Sequence, residues 1–262
     1  MTATGLRWWL ACRGDGVHRF FVPPSHIEED RVTLPSDAAR QLARVLRARP
    51  GDGVIVLDDS GYEYTVILDS VSPRHASGVI NESNVGQGEA SLSITLYQGL
   101  MKADRFEYVL QKGTEIGISR FVPMVSERTV ARNIISDNRM QRWGKIIREA
   151  AEQAGRSRLP VLDDAVSFAD ACDSVAGPAI IGWECERDTG IRGTLLRHKT
   201  AIEQAQSLSI VIGSEGGLTA EEVSYALSRD VTPVSMGRRV LRAETAGIIA
   251  AAAVLYEMDE LG

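Results

Sequence analysis

The sequence predicts an α/β protein: a mostly parallel β-sheet with helices on both faces, preceded by a small β-barrel. From residue 92 onward, short apolar runs alternate with amphipathic helical segments, which is the rhythm of a parallel sheet. The preceding region instead contains several short strands and one helix, as small barrels do. The polar segment NVGQGE (84–89) separates the two patterns. We therefore expect a poorly ordered extension (1–17), a small β-barrel (18–84), a linker (85–90) and a parallel-sheet domain (91–262).

In the first region, runs of apolar and β-branched residues indicate strands, and turn residues separate them. The segment Asp58–Gly61 lies between two such runs and indicates a hairpin. Ser36 is expected to cap a helix whose apolar face runs from Ala39 to Leu46 and which ends at PGDG (50–53). The predicted strands are Arg19–Val22, Val54–Leu57, Tyr62–Leu68 and Gly78–Ile80.

In the second region, apolar runs of strand length are followed by segments with helical periodicity. Ser136 is expected to cap the longest helix, and Gly155 to close it. The predicted strands are 92–96, 121–125, 179–181, 208–212 and 231–236. The predicted helices are 104–116, 137–154 and 194–204, with two more after Thr219 and from residue 243.

Two glycine-rich loops near the C-terminus carry the first functional signal. In LSIVIGSEGGLTAEEV (208–223) and VSMGRRVLRAETAGIIAAAAVL (234–255), a strand breaks at glycine and a loop leads into a helix. Thr219 and Glu222 form a capping box that fixes the start of the first helix. Such loops at the carboxyl ends of neighbouring strands are where an α/β sheet binds a small ligand.

The loops do not match the usual phosphate-binding motifs, because the sequence lacks G-x-x-x-x-G-K-[ST] and has no G-x-G-x-x-G after a strand. Glycines around Glu215 instead suit close approach of bare backbone to a flat, polar ligand. Taken alone, GSEGG also fits a tight turn with a helix cap and no ligand.

Composition narrows the class of protein further. A chain of 262 residues with 44% hydrophobic and 24% charged residues is typical of a globular protein. Cys12, Cys172 and Cys185 are widely spaced, so neither a disulfide framework nor a zinc site is predicted, and the four histidines suggest no metal. The apolar runs at 6–12 and 245–256 are too short for a signal peptide or a membrane span. We therefore expect a cytoplasmic protein without a metal.

Charge is distributed unevenly along the chain. The net charge is −6, but residues 101–160 carry twelve basic and seven acidic residues, a local charge of +5. A basic segment in an acidic protein indicates a possible binding surface for a polyanion. In this segment, Gln111 and Glu115 share one helix face, and arginines suited to phosphate contacts recur. The alternative is a solvated helix face with ordinary ion pairs.

Taken together, the motifs resemble the RsmE family of 16S ribosomal RNA uridine-N3 methyltransferases, members of the SPOUT (trefoil-knot) superfamily. The resemblance extends from about His18 to the C-terminus, with Ser214 where family members usually have proline. The matching segments are KADRFEYVLQKGTEIG (102–117), SERTV (126–130), EAAEQAGR (149–156), IGSEGGL (212–218) and MGRRVLRAETA (236–246). In the N-terminal region, RFFV (19–22) and RVLRARPGD (44–52) resemble the family's PUA-like RNA-binding barrel.

The resemblance implies a fold, a ligand and partners. The C-terminal domain would be a trefoil-knotted parallel-sheet methyltransferase domain that binds S-adenosylmethionine in the knot, with the active site completed in a homodimer. The substrate would be the uridine at position 1498, in the usual numbering, of 16S rRNA in the assembled small ribosomal subunit.

The chemistry of the implied reaction suggests roles for individual residues. Because a guanidinium keeps its charge and can donate two parallel hydrogen bonds, Arg242 is hypothesised to stabilise charge on the uracil oxygens, and Glu215 or Glu244 to accept the N3 proton or orient that arginine. The residues expected to bind the cofactor are Ile212, Gly213, Glu215, Gly216, Gly217, Met236, Gly237, Val240, Leu241, Arg242, Thr245 and Ala246. Those expected to bind RNA are Arg19, Arg47, Lys102, Arg105, Gln111, Lys112, Glu115, Arg128, Gln153 and Arg156.

Three alternatives remain at this point. Another SPOUT methyltransferase would act on a ribose 2′-hydroxyl or on a guanine in tRNA. A non-catalytic RNA-binding or assembly factor would keep the fold without the reaction. An α/β domain with capped helices and no ligand is the third.

Overall fold

The computed structural model describes residues 17–130 and 135–261. The chain divides into two compact units, and the first combines Met1–Glu89 with the later segment Ala151–Leu159. The second unit contains Ala90–Ala150 and Pro160–Gly262. Sequence patterns did not indicate the return of residues 151–159 to the first unit. The predicted extension lies almost wholly outside the described residues.

The first unit is built on one six-stranded sheet. Its strand order is β1-β4-β5-β6-β3-β2; β1 and β4 are parallel and the remaining pairs are antiparallel. Strands β2 and β3 were not predicted, and β6 is much longer than the predicted Gly78–Ile80. The strands are β1 (Arg19–Phe21), β2 (Ile27–Glu28), β3 (Arg31–Leu34), β4 (Gly53–Leu57), β5 (Tyr62–Val71) and β6 (Ala76–Val85).

The helix of the first unit, α1, spans Ser36–Gln41 and continues as one π-helical turn, Leu42–Leu46. Its predicted apolar face is confirmed, since Ala39 and Leu42 are fully buried in the core of this unit. The predicted cap is wrong by one position: Ser36 is the first helical residue, and Pro35 is the N-cap. The turn ends at Arg47 in a left-handed conformation, with φ 53°.

The second unit contains a sheet of order β10-β8-β7-β12-β11-β13, with β9 also paired to β8. All its strand pairs are parallel, which confirms the predicted architecture. The strands are β7 (Ser93–Gly99), β8 (Arg120–Val125), β9 (Val161–Leu162), β10 (Val166–Ser167), β11 (Ala179–Gly182), β12 (Ser207–Ile212) and β13 (Val231–Val234). The helices that follow α1 are α2 (Ala103–Ile116), α3 (Asp137–Ala154), α4 (Phe168–Ser174), α5 (Ile191–Ala205), α6 (Ala220–Leu227) and α7 (Ala243–Glu257).

Helices cover both faces of this sheet. Alternate residues of β12 point to opposite faces, so Ile210 packs into one apolar cluster and Val211 into another. The first cluster includes residues of α2, α3, α5 and α7, and the second includes residues of α4 and α6. Within the described residues, no helix is both long and apolar enough to cross a membrane.

Strand register brings three loops to the same level of the sheet. Gly182, the last residue of β11, is paired with Ile212 of β12 on one side and with Val234 of β13 on the other. The segments that follow these three residues therefore leave the sheet side by side. On the other side of β12, Gly99 of β7 lies so close to the loop after Ile212 that a Cβ there would be 2.3 Å from the Ser214 nitrogen.

Candidate active site

A cavity of about 470 Å³ lies at the carboxyl ends of β11, β12 and β13. Three segments contribute most of its lining: a first loop (212–218) after β12, a second loop (235–246) after β13, and a third loop (182–187) after β11. One lining residue, Arg105, comes instead from the first turn of α2. The position matches the predicted ligand site of the two glycine-rich loops.

The first loop is held by local hydrogen bonds at both ends. The capping box is present: the Thr219 nitrogen donates to Glu222 Oε2 at 2.9 Å, and the Glu222 nitrogen donates to Thr219 Oγ1 at 3.2 Å. At the start of the loop, the buried Gln98 side chain donates to the Gly213 carbonyl at 3.4 Å. Gly217 has φ +71°, and a Cβ at this position would lie 2.6 Å from Glu184 Oε1.

The second loop, as defined, includes the first turn of α7, with Arg242 at the N-cap and Glu244 within that turn. The positive end of the helix dipole favours a carboxylate there. The Glu244 side chain is only 13% exposed, and its Oε2 is buried without a hydrogen-bond partner among the described residues. The Arg242 side chain, in contrast, is 78% exposed. The loop thus presents a buried carboxylate and a solvated guanidinium to the cavity.

The third loop was not predicted, although Trp183, Glu184 and Arg187 all line the cavity. Its shape is fixed by Glu186, whose Oε1 accepts hydrogen bonds from the backbone nitrogens of Asp188 and Thr189, both at 2.8 Å. These backbone donors, that of Thr189 first, lower the pKa of Glu186 below its usual value. The signal was present in the sequence, because the predicted strand 179–181 breaks at glycine as the other two strands do.

Four charged side chains form a cluster at the cavity. Arg105 Nη1 lies 3.3 Å from Glu215 Oε1, and Arg105 Nε lies 3.9 Å from Glu244 Oε1. Arg242 Nη1 approaches the same oxygen of Glu244 at 4.0 Å. Glu215 Oε1 also accepts a hydrogen bond from the Lys102 nitrogen at 3.4 Å. All three predicted catalytic residues therefore meet in one cluster.

Comparison with known proteins identifies the family. Residues 88–255 match the family described as RNA methyltransferase domain. The chain is 34% identical over 239 residues to ribosomal RNA small subunit methyltransferase E of Synechocystis sp.. The aligned region covers 90% of this chain and 77% of that protein. The chain belongs to the ribosomal RNA small subunit methyltransferase E family. The family resemblance inferred from the sequence is thereby confirmed.

Other members of the methyltransferase E family agree over nearly the whole chain. The Bacillus subtilis protein is 29% identical over 252 residues, covering 94% of this chain and 98% of that protein. The crystal structure of the Neisseria gonorrhoeae methyltransferase E bound to S-adenosyl methionine superposes with a TM-score of 0.82 and 29% identity. That comparison covers 92% of this chain and 97% of the other. The parallel-sheet domain and the separate antiparallel sheet are both consistent with methyltransferase E structures.

The predicted cofactor residues fall at the cavity with one exception. Thr245 does not line it; its backbone nitrogen instead donates to the Arg242 carbonyl at 2.9 Å in the first turn of α7. The residues at the cavity are Ile212, Gly213, Glu215, Gly216, Gly217, Met236, Gly237, Val240, Leu241, Arg242 and Ala246. Their roles in binding stay predictions for this member of the methyltransferase E family.

The predicted RNA contacts are more scattered. Arg47, Lys102, Gln111 and Gln153 are exposed, whereas the other predicted basic residues are engaged within the protein. Arg19 pairs with Glu63 at 2.5 Å, Lys112 pairs with the predicted RNA contact Glu115 at 2.7 Å, and Arg128 donates to the carbonyls of Gly216 and Leu218 at 3.4 and 3.3 Å.

Arg156 requires a correction. The residue is only 3% exposed, and its guanidinium is paired with Glu89 within the first unit. A buried, paired guanidinium cannot track an RNA phosphate. Over the described ranges, no group of three or more His, Cys, Asp or Glu side chains could hold a metal ion.

Proposed function

We propose that this chain transfers a methyl group from S-adenosylmethionine to N3 of a uridine in the 16S rRNA of the small ribosomal subunit. The observation that carries the proposal is the cavity formed by three loops in a member of the methyltransferase E family. A Neisseria gonorrhoeae protein of that family, similar over 92% of this chain, was crystallised with S-adenosyl methionine. A ribosomal substrate implies action in the cytoplasm.

The residues at the cavity fit this cofactor. A volume of about 470 Å³ is within the range of pockets for small ligands. Gly213, Gly216 and Gly217 line the cavity without side chains, as close approach to a flat base such as adenine requires. A Cβ at Gly216 would lie 2.7 Å from the Arg128 carbonyl oxygen, so this loop keeps its shape only with glycine there. The lining carries both signs of charge: its glutamates can face the sulfonium of this ligand, and its arginines can face the ligand's carboxylate. When bound, S-adenosylmethionine supplies an electrophilic methyl group.

Arg242 fits the role of stabilising the acceptor. Uracil N3 carries a proton at neutral pH, and negative charge develops on O2 and O4 as that proton leaves. A guanidinium keeps its charge and can donate two parallel hydrogen bonds to such oxygens. Because the Arg242 side chain is largely exposed and only loosely paired with Glu244, it is free to turn toward an incoming base.

Of the two carboxylates, Glu244 is the better candidate for accepting the N3 proton. Glu215 Oε1 already accepts hydrogen bonds from the Lys102 backbone nitrogen and from the Arg105 guanidinium. Glu244 shares its Oε1 with two guanidinium groups, while its buried Oε2 has no hydrogen-bond partner in the part of the chain that the structure describes. An unpartnered buried carboxylate oxygen can take a proton without first breaking another contact.

For RNA binding, an arginine patch on the first unit supports the proposal. We define this patch as Arg40, Arg44, Arg47 and Arg49, all exposed along α1, its π-helical turn and the following loop. None of the four has a carboxylate partner among the described residues, so their charge is available to phosphates. The patch supports the assignment of this unit as a PUA-like RNA-binding barrel.

Four further features of the proposal rest on the family resemblance. They are the division of labour between an RNA-binding domain and a catalytic domain, the trefoil knot, completion of the site in a homodimer, and recognition of the assembled small subunit. A uridine inside a folded subunit would have to turn out of its surroundings to reach the cavity.

The test is methyl transfer from labelled S-adenosylmethionine to small ribosomal subunits from cells that lack this protein. The product is mapped by reverse-transcriptase arrest, because N3 methylation blocks the Watson–Crick edge. A single new stop at a uridine near the 3′ end of 16S rRNA is the expected result. Incorporation without arrest would indicate a ribose or another acceptor, and no incorporation with bound cofactor would refute the proposed substrate.

A further inference from the structure

Among the residues that the structure describes, Arg105 is the one that lines the cavity from outside the three loops, and it contacts two of them. Its Nη1 lies 3.3 Å from Glu215 in the first loop, and its Nε lies 3.9 Å from Glu244 in the second loop. The three side chains are partly buried: 36% exposed for Arg105, 28% for Glu215 and 13% for Glu244. One guanidinium thus faces carboxylates from both walls of the cavity.

The strand order explains why such a link matters. The first loop follows β12 and the second follows β13, and these strands are separated by β11. The two loops therefore leave strands that share no ladder of backbone hydrogen bonds. A side chain that reaches both can hold their relative position where the sheet does not.

The chemistry of the link requires a guanidinium. Its Nε and Nη donors point in fixed, different directions, so they can face two carboxylates at once. A lysine ammonium is a compact point charge at the end of a flexible chain and lacks this fixed fork. Glu215 is held further by the Lys102 nitrogen, at the N-cap of the same helix that carries Arg105.

We infer that Arg105 is a positioning residue that joins the first and second loops through Glu215 and Glu244, and not a contact to RNA phosphate. The expected effect of this link on ligand binding rests on the proposed function, since the two loops are the proposed walls of the cofactor site. Loss of the link should let the loops move independently. Both the order of the loops and the affinity for S-adenosylmethionine should then fall.

The experiment compares wild-type protein with Arg105→Ala and Arg105→Lys, and uses Arg229→Ala as the matched control. Arg229 also pairs with a carboxylate, Asp173, at 2.7 Å in the same unit, but it does not line the cavity. Hydrogen exchange is followed at the amides of 213–217 and 243–246 without any ligand. Arg105→Ala should speed this exchange by about three- to tenfold, the range for loss of two partly exposed ion pairs, whereas Arg229→Ala should not.

Binding measurements then separate this role from an RNA contact. Arg105→Ala should raise the Kd for S-adenosylmethionine by the same factor by which it speeds exchange, about three- to tenfold. It should leave the salt dependence of binding to small ribosomal subunits unchanged. A phosphate contact would instead lower the slope of log K against log salt by about one. A lower slope with unchanged loop exchange would overturn the inference.

The Glu215→Gln background and the Arg105→Lys variant separate the two-sided contact from a simple charge effect. In a Glu215→Gln background, Arg105→Ala should have a smaller effect on exchange than in the wild type, because one of its two contacts is already weakened. Full restoration of slow exchange by Arg105→Lys would overturn the two-sided contact. If wild-type protein transferred no methyl group, the proposed function would fail while the exchange result still decided the inference.

Discussion

The guanidinium of Arg156 donates from Nη2 to Glu89 Oε2 at 2.7 Å, although the two residues lie 67 positions apart in the chain. Glu89 Oε1 also accepts hydrogen bonds from the backbone nitrogens of Ser157 and Arg158, at 2.9 and 3.0 Å. One carboxylate therefore ties the returning segment 151–159 to the end of the first unit. The arginine that the sequence suggested for RNA is a structural residue.

Replacement of Arg156 by alanine should lower the free energy of unfolding by about 3 kcal/mol, because it leaves the Glu89 carboxylate without its buried partner. Urea denaturation measures this change. The control is Arg31→Ala, which removes an exposed pair with Asp69 and should cost less than about 1 kcal/mol. Equal losses in the two variants would contradict the structural role.

Substitution of Gly217 by alanine should weaken the binding of S-adenosylmethionine by about five- to thirtyfold, because a non-glycine residue in the left-handed region costs roughly 1–2 kcal/mol. The residue has φ +71°, and the new methyl group would also displace the Glu184 carboxylate at the wall of the cavity. Isothermal titration of the variant against the wild type tests this. Gly193→Ala is the matched control, because Gly193 lies in α5 with open space around its Cα, and alanine there should preserve binding.

Arg242→Ala should reduce turnover by about a hundredfold, the lower end of the usual cost of losing one donor to a developing charge, because this exposed side chain must first turn toward the base. Binding of S-adenosylmethionine should change much less, because the side chain is 78% exposed. Single-turnover methyl transfer and equilibrium binding are measured on the same preparation. Near-normal turnover of this variant would exclude Arg242 as the residue that stabilises the developing charge.

Arg44→Ala and Arg47→Ala should each lower the salt slope of binding to small ribosomal subunits by about one, if the arginine patch contacts phosphates. The measurement is affinity at several salt concentrations. Lys199→Ala, on an exposed face of α5, serves as the control and should leave the slope unchanged. Binding that does not depend on salt would refute the electrostatic contribution of the patch.

The two described cysteines should differ strongly in reactivity. Burial raises the pKa of the Cys172 thiol from its ordinary 9.0 to about 11, whereas Cys185 is exposed. Iodoacetamide at pH 8 should therefore label Cys185 and spare Cys172 until the protein unfolds, as peptide mass spectrometry can show. Because the raised pKa favours the neutral thiol in the folded state, this contribution to stability holds below pH 9.0 and is lost as the pH rises towards about 11.

Local signals in the sequence predicted the features that depend on neighbouring residues. The capping box of Thr219 and Glu222 forms as expected, because its partners are three positions apart. Apolar runs likewise predicted the longer parallel strands, although β9 and β10 were missed, since two-residue strands carry no periodicity.

Features that depend on distant partners could not be predicted in this way. Arg105 and Arg156 were both assigned to RNA because a charged side chain has no visible partner in a sequence. In the structure, Arg105 donates a hydrogen bond to Glu215, 110 positions away in the chain, and Arg156 donates one to Glu89. Only the tertiary fold decides whether an arginine is available to a ligand or is already paired.

The return of residues 151–159 to the first unit limits how gene segments that encode the two units can be exchanged between proteins. The first unit is encoded in two stretches of the gene, and the early part of the second unit lies between them. A single recombination event cannot transfer the first unit whole without cutting the second. A contiguous fragment that ends at Glu89 therefore lacks part of the first unit, unlike a module that is joined to its neighbour end to end.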